Sequence, residues 1–260
     1  MAKLRVGVEL ATLPYPFKEA LEKAAELGAE AVELEAKGEL APGQLSSSGI
    51  REIRHWLEDY GLRLSALRLP LSRGFDSPEE LERRIATTKT AMETAYKLGA
   101  FVVLCPIGQV PQDQQSPRWR LLAEVMDELS RHGNRVGAQL AVETGTEPGE
   151  RLASLLNHLP EGTIGADLNP GNLKLAGFSP EEAAVQLGRR ILHVHATDAS
   201  ADLPGSRGRF CPLGLGGVDW LHLLATLEEF NYRGWFIVTS PPGCDPETEI
   251  PRAIGFLRRL

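Results

Sequence analysis

Glu143, Asn169 and His195 recur at intervals of 26 residues, and each closes a short strand-like run: Leu140-Ala141-Val142, Ile164 to Leu168, and Ile191 to Val194. That interval is close to one β-strand plus its crossover helix, so the spacing predicts a carboxylate, an amide and an imidazole at three successive strand ends. A carboxylate and an imidazole that converge suit a divalent ion, because oxygen donors favour Mn²⁺ or Mg²⁺ and imidazole tolerates Mn²⁺ or Co²⁺. Glu143 is also a candidate catalytic carboxylate. His193 alternates with His195, which places both rings on one face of a strand. The plainer alternatives are a helix N-terminal anion or ion-pair partner for Glu143, and satisfied core positions for the histidines.

The elements that must position these groups alternate along the whole chain. Strands are expected at Leu4–Leu10, Ala31–Leu34, Arg63–Leu67, Phe101–Leu104, Gln139–Val142, Thr163–Leu168, Ile191–His195 and Trp235–Val238. Helices are expected near Phe17–Leu27, Ser48–Tyr60, Pro78–Leu98, Pro117–His132, Glu150–Asn157, Pro180–Leu187, Asp219–Phe230 and Pro246–Leu260. Ser77-Pro78 and Ser179-Pro180 read as an N-cap followed by proline at the first helical position, and Gly28, Gly61 and Gly99 fall where a left-handed residue ends a helix. Eight β-then-α units without a linker predict a single (β/α)8 barrel spanning residues 1–260. A doubly wound open sheet fits less well, because Glu9-Leu10-Ala11-Thr12-Leu13-Pro14 stands after the first strand where a Gly-rich phosphate fingerprint belongs.

Composition narrows the function classes. The 260 residues carry 28 Lys+Arg against 35 Asp+Glu, a net charge of −7, which argues against nucleic acid as a partner. Hydrophobic residues at 42% and charged residues at 24% describe a chain able to bury a large core rather than a disordered one. No apolar run is long enough for a membrane span. The first residues enter a strand pattern without a signal-peptide h-region, so a cytoplasmic location is expected. Cys105, Cys211 and Cys244 are widely spaced and read as reduced thiols.

In a barrel of this kind the site lies at the C-terminal strand ends. Glu9 and Glu33 close the first two strands and are candidate contacts to substrate hydroxyls. Arg68 and Arg73 are candidate anion binders through charge-assisted bonds. Asp198 and Arg209 fall in the excursion after the seventh strand, whose Gly-rich run to Gly217 predicts a mobile rim. Tyr15, Phe17 and Trp119 are candidates for closing the pocket, whereas Trp220, at a helix start, reads as packing. Asp167 shares the strand face of Asn169 but lies deeper, where a buried, hydrogen-bonded role is favoured over a relocated acid.

The segments Ala141-Val142-Glu143-Thr144, Gly165 through Leu173 (GADLNPGNL), His193-Val194-His195-Ala196-Thr197-Asp198, Pro212 through Trp220 (PLGLGGVDW) and Tyr232-Arg233-Gly234-Trp235 resemble the xylose isomerase-like TIM barrels, a family of sugar phosphate isomerases and epimerases. The resemblance spans nearly the whole chain. It implies a Glu, Asp, His, Glu set that binds one Mn²⁺, Mg²⁺ or Co²⁺ ion, with the two glutamates moving protons on a ketose. Glu143 and His195 match that set, whereas the Asp falls on Asn169 and the final Glu on Thr239. Asn172 falls on the family's substrate-contacting position. A divalent ion would leave the full set at −1 but this one at +1, so metal binding is expected to be weak or absent. The resemblance thus implies a sugar or polyol isomerase or epimerase with Glu143 as base, its substrate contacts drawn from Glu33, Arg68, Asn172, His193, Asp198 and Thr239. With one carboxylate, aldose–ketose isomerisation is easier than epimerisation, which needs a group on each face. The alternative is a non-catalytic carbohydrate- or metabolite-binding member of the fold, motivated by Asn169 and Thr239. A repair endonuclease, with its many ligands and basic groove, fits six histidines and a charge of −7 poorly. The partner is a small sugar or polyol rather than a nucleic acid or membrane, and homo-oligomerisation is left open.

Overall fold

The chain was analysed as a computed structural model, which describes residues 3–145, 147–160, 162–200 and 208–260. Its strands, in chain order, are β1 (Arg5–Glu9), β2 (Ala31–Glu35), β3 (Arg63–Arg68), β4 (Val102–Cys105), β5 (Gln139–Glu143), β6 (Ile164–Leu168), β7 (Ile191–Ala196), β8 (Asp198–Ser200), β9 (Arg209–Cys211) and β10 (Trp235–Val238). Eight of them close into a parallel barrel in the order β1-β10-β7-β6-β5-β4-β3-β2, while β8 and β9 form a separate antiparallel pair. Strands such as Val6-Gly7-Val8 and Ile164 to Leu168 are buried along their length because the interior packs one face and helices cover the other. All eight expected barrel strands are present, and closure leaves no free edge.

Helices α1 (Phe17–Glu26), α2 (Ser47–Asp59), α3 (Leu81–Leu98), α4 (Pro117–Val136), α5 (Gly149–Leu156), α6 (Pro170–Leu175), α7 (Pro180–Leu187), α8 (Trp220–Glu229) and α9 (Pro246–Leu257) surround the barrel. Gly28, Gly61 and Gly99 take φ of 90°, 65° and 95°, as the helix ends require. Ser179 caps α7 through a bond from the Glu182 amide. The Ser77 cap does not form. Its hydroxyl turns to the Glu79 side chain, Glu80 adopts a left-handed φ of 50°, and α3 starts at Leu81 rather than Pro78. The preceding segment is pinned elsewhere, with the Phe75 amide bonded to the Ile107 carbonyl at 2.7 Å. The short α6 and the β8–β9 pair were not anticipated.

Two register shifts shape the interior. Between β2 and β3, Val32 pairs with Leu64 but Glu33 with Ala66, and the skipped Ser65 donates its hydroxyl to the Val32 carbonyl at 3.0 Å. Between β6 and β7, Ala166 pairs with Ile191 but Asp167 with His193, so Leu192 is an extra residue. Leu192 packs with Ala66, Leu104 and Ala141 in a small apolar plug beneath the site. These bulges rephase the strands so that the polar residues above the plug project inward.

Candidate functional site

Above the plug lies a sealed tier of charge. Asp167, fully buried, accepts Nδ1–H of His193 through Oδ1 at 2.9 Å and Nδ1–H of His195 through Oδ2 at 2.6 Å. The rings meet edge to face at 5.1 Å. On their far side, Glu33 Oε2 lies 3.0 Å from His195 Nε2 and 3.5 Å from His193 Nε2. Those approaches are not aligned for hydrogen bonding, so neither Glu33 oxygen nor His193 Nε2 has a hydrogen-bond partner among the described residues. Burial alone would push the Asp167 carboxyl up, but the charge of His195 and the bonds from both imidazoles hold it well below the usual carboxylate range. Burial likewise opposes charge on His195, yet Asp167 and Glu33 overcome it and raise its pKa well above the ordinary imidazole value. His195 is therefore an imidazolium clamped between two carboxylates at neutral pH.

The second tier opens into a cavity of about 380 Å³, walled by Glu9, Arg68, Glu143, Asn172, His195 and Thr239, with Phe210 and Pro241 at its rim. Glu143 Oε1 accepts from Asn169 Nδ2 at 3.0 Å and from Asn172 Nδ2 at 3.1 Å, and its Oε2 lies 3.9 Å from the Arg68 guanidinium. Burial and the Asp167 charge raise the Glu143 pKa beyond what His195, Arg68 and the Asn169 amide take back. Glu9 is raised too, by burial first and the Glu33 charge second, against the lowering effects of His195, Arg68 and a hydrogen bond from Thr239. Arg68 is also 3.6 Å from Glu35, so a single cation serves several carboxylates.

The α6 start fixes the amides. Asn169 is its N-cap, with Oδ1 accepting from the Asn172 amide at 3.0 Å and from the Thr197 hydroxyl at 2.6 Å, while its own amide donates to Thr144 Oγ1 at 2.8 Å. Thr197 in turn receives the Gly171 amide at 3.0 Å, an approach a side chain on Gly171 would block, since a Cβ there would stand 2.7 Å from Thr197 Oγ1.

Glu143, Asn169, Asn172, His195, Arg68 and Thr239 are thus brought together as the sequence predicts. Others are not. His193 and Glu33 are buried and do not line the cavity, with His193 facing Glu33 through Nε2 and Asp167 through Nδ1. Asp198 is buried, accepts backbone amides from Ala199, Gly214, Gly216 and Val218 at 2.9 to 3.2 Å, and does not line the cavity. The expected mobile rim falls partly on residues 201–207, outside the described residues. Arg73 faces an adjoining depression that shares Glu143 and Asn172. Tyr15 bonds Glu247, Phe17 packs on Trp56, Trp119 meets His158 edge-on and Trp220 is buried, so none of the four lines the cavity. Phe210, which does, follows Arg209 on β9, the strand paired antiparallel with β8.

The four positions equivalent to the family's metal set do not fit a divalent ion. Asn169 spends its carbonyl oxygen on the helix cap and Thr197 and aims its NH₂ at Glu143, while His195 has Asp167 on one ring nitrogen and Glu33 beside the other. Two tighter donor groups, Glu33/His193/His195 and Glu143/Asp167/His195, have ligand atoms within 4.8 Å of one another. Both share His195; in the first, both Glu33 oxygens and His193 Nε2 are buried without hydrogen-bond partners among the described residues, whereas the second needs an Asp167 whose oxygens already serve two imidazoles. No described helix is long and apolar enough to cross a membrane.

The comparisons agree with this architecture. The chain is similar to an inosose dehydratase of Geobacillus kaustophilus, 23% identical over 95% of this chain and 88% of the relative. In structure it resembles a xylose isomerase domain protein from Planctomyces limnophilus, with a TM-score of 0.84 at 22% identity over 99% of this chain and 98% of the other. It also resembles a D-psicose 3-epimerase crystallised with D-fructose, with a TM-score of 0.77 at 16% identity over 98% and 99% of the two chains. The profile of the family described as Xylose isomerase-like TIM barrel matches residues 21–260, and the chain belongs to that family.

Proposed function

We propose that the protein abstracts a proton from the carbon beside the carbonyl of a ketose or cyclic polyol ketone, with Glu143 as the base. The observation that carries this reading is the placement of Glu143, a carboxylate held by two side-chain amides with its pKa raised by burial, on the wall of a cavity beside two cations. A base with a raised pKa is better matched to a weakly acidic C–H than an ordinary carboxylate. Arg68 and the imidazolium of His195 supply positive charge for the oxyanion that develops, and Asn172 fixes the carboxylate. Isomerisation, epimerisation and the elimination of water from a hydroxyketone all begin with this step. That common step fits both the dehydratase relative and the epimerase neighbour. Because the family's metal positions do not fit an ion, oxyanion stabilisation is assigned to this chain's cations.

Incubating the protein in D₂O with a panel of ketoses and inososes tests the reading. We expect deuterium at the carbon next to the carbonyl, and a loss of at least about 10³-fold in Glu143→Gln. Metal-independent thermal stabilisation by a sugar without any exchange would instead favour a binding protein.

A further inference from the structure

We propose that Glu9 is a second proton-transfer residue of this site, working from the side of the barrel mouth opposite Glu143. The inference builds on the reading of Glu143 as base. In the closed strand order, three strands separate β1 from β5 whichever way the barrel is followed, β10, β7 and β6 on one side and β2, β3 and β4 on the other. Glu9 ends β1 and Glu143 ends β5, so the two carboxyls stand on diametrically opposed walls, and both line the same cavity.

Among the described residues, no other acid of the tier is placed to play this part. Glu33 and Asp167 are sealed against the histidines, with side chains 1% and 0% exposed, and Glu35 pairs with the back of Arg68. Glu9 is only partly buried, and its hydrogen-bonding neighbour is the neutral hydroxyl of Thr239. Arg68 on β3 and His195 on β7 each lie two steps from β1 and two from β5 in the closed order, and both line the cavity, so the two cations occupy the walls between the two acids. A substrate carbon seated there has one carboxyl on each face.

The chemistry then takes two balanced steps. Glu143 removes the proton beside the carbonyl, and the electron pair moves onto the carbonyl oxygen to give an enediolate. Glu9, as the carboxylic acid, donates its proton from the other side. If the proton goes to the same carbon, the C–H bond re-forms with inverted configuration. If it goes to a hydroxyl on the next carbon, the C–O bond breaks, water leaves, and the carbonyl and a C=C bond form. Either way Glu143 ends protonated and Glu9 ionised, exchange with water restores the pair, and no oxidant or reductant is needed. The arrangement favours chemistry on two faces over the one-face isomerisation to which a single carboxylate is suited.

Glu9→Gln and Glu143→Gln, compared with the unsubstituted protein in D₂O on the same ketoses and inososes, separate the roles. We expect Glu9→Gln to keep deuterium incorporation within about tenfold while epimer or dehydration product falls by roughly 10²- to 10⁴-fold, and Glu143→Gln to lose both. Glu9→Asp, which retains the acid set back by one methylene, should recover part of the product and serves if the amide variant folds poorly. Product formation at an undiminished rate in Glu9→Gln, or equal loss of deuteration and product, overturns the proposal while leaving Glu143 as base. Absence of deuteration by the unsubstituted protein on every substrate overturns both.

Discussion

Glu143 and Asp167 are direct partners in the parallel ladder of β5 and β6, so both project into the barrel, yet their electrostatics run in opposite directions. Asp167 has both oxygens on imidazole N–H groups and is held ionised, while Glu143, given only two amides and a guanidinium at 3.9 Å, is pushed up by burial and by Asp167 itself. The pair teaches that depth alone does not set a carboxylate's role. Partners do: the lower tier spends its charges on one another, and the upper tier leaves two acids facing a cavity.

The sharpest way to break that contrast is to cut one oxygen from each tier. Asp167→Asn leaves the His195 charge buried against one carboxylate fewer, and we expect a loss of about 3–5 kcal/mol, a Tm lowered by on the order of 10 °C. Glu143→Gln removes a carboxylate that is poorly stabilised already, so its Tm should move by no more than a few degrees while proton exchange disappears. Thermal melts of both variants check this, and equal losses of stability would erase the distinction.

A smaller effect concerns metal. Asn169→Asp together with Thr239→Glu restores two carboxylates to the upper tier and should tighten Mn²⁺ binding by at least about tenfold, near 1.4 kcal/mol, in calorimetric titration. Unchanged affinity would show that the clamp on His195, rather than missing charge, bars the ion.

The smallest expected effect is in the pH dependence of stability. The folded pKa of His195 is raised, so its contribution is complete below the unfolded value near 6.5 and is lost as pH rises through the higher folded value. The pKa of Asp167 is depressed, so its contribution is present above the ordinary carboxylate range and lost as pH falls through the lower folded value. Tm should therefore be highest between the ordinary carboxylate range and about pH 6.5 and decline as pH rises through neutrality toward the folded pKa of His195, and that decline should shrink in Asp167→Asn.

Much of the fold was legible because strand and helix periods differ and the βα interval repeats. Gly99 marked the end of α3 correctly, since a left-handed residue was needed there, but Ser77-Pro78 did not mark its start, because the hydroxyl found a nearer acceptor in Glu79. At the site, the spacing that linked Glu143, Asn169 and His195 was reliable, for each closes a neighbouring strand. The two-handed grip of Asp167 on His193 and His195 was not legible, since it depends on the extra residue at Leu192. Glu9 was readable as a strand-end acid but not as the residue opposite Glu143, which follows only from the order in which the barrel closes. Asn169 before Pro170 carries a helix-start signature and a ligand-type amide at once, and only the fold shows its oxygen committed to the α6 cap.

The bulge at Leu192 and the alternation that follows it make the site sensitive to chain length in steps of one. Removing Leu192 would restore a regular ladder with His193 still opposite Asp167, whereas removing Val194 would turn His195 out toward the helices while His193 stays inward. Point substitutions can tune this centre gradually, whereas a one-codon deletion at Val194 is an all-or-nothing event. Descendants of this chain should therefore keep the length of β7 even where they change its residues.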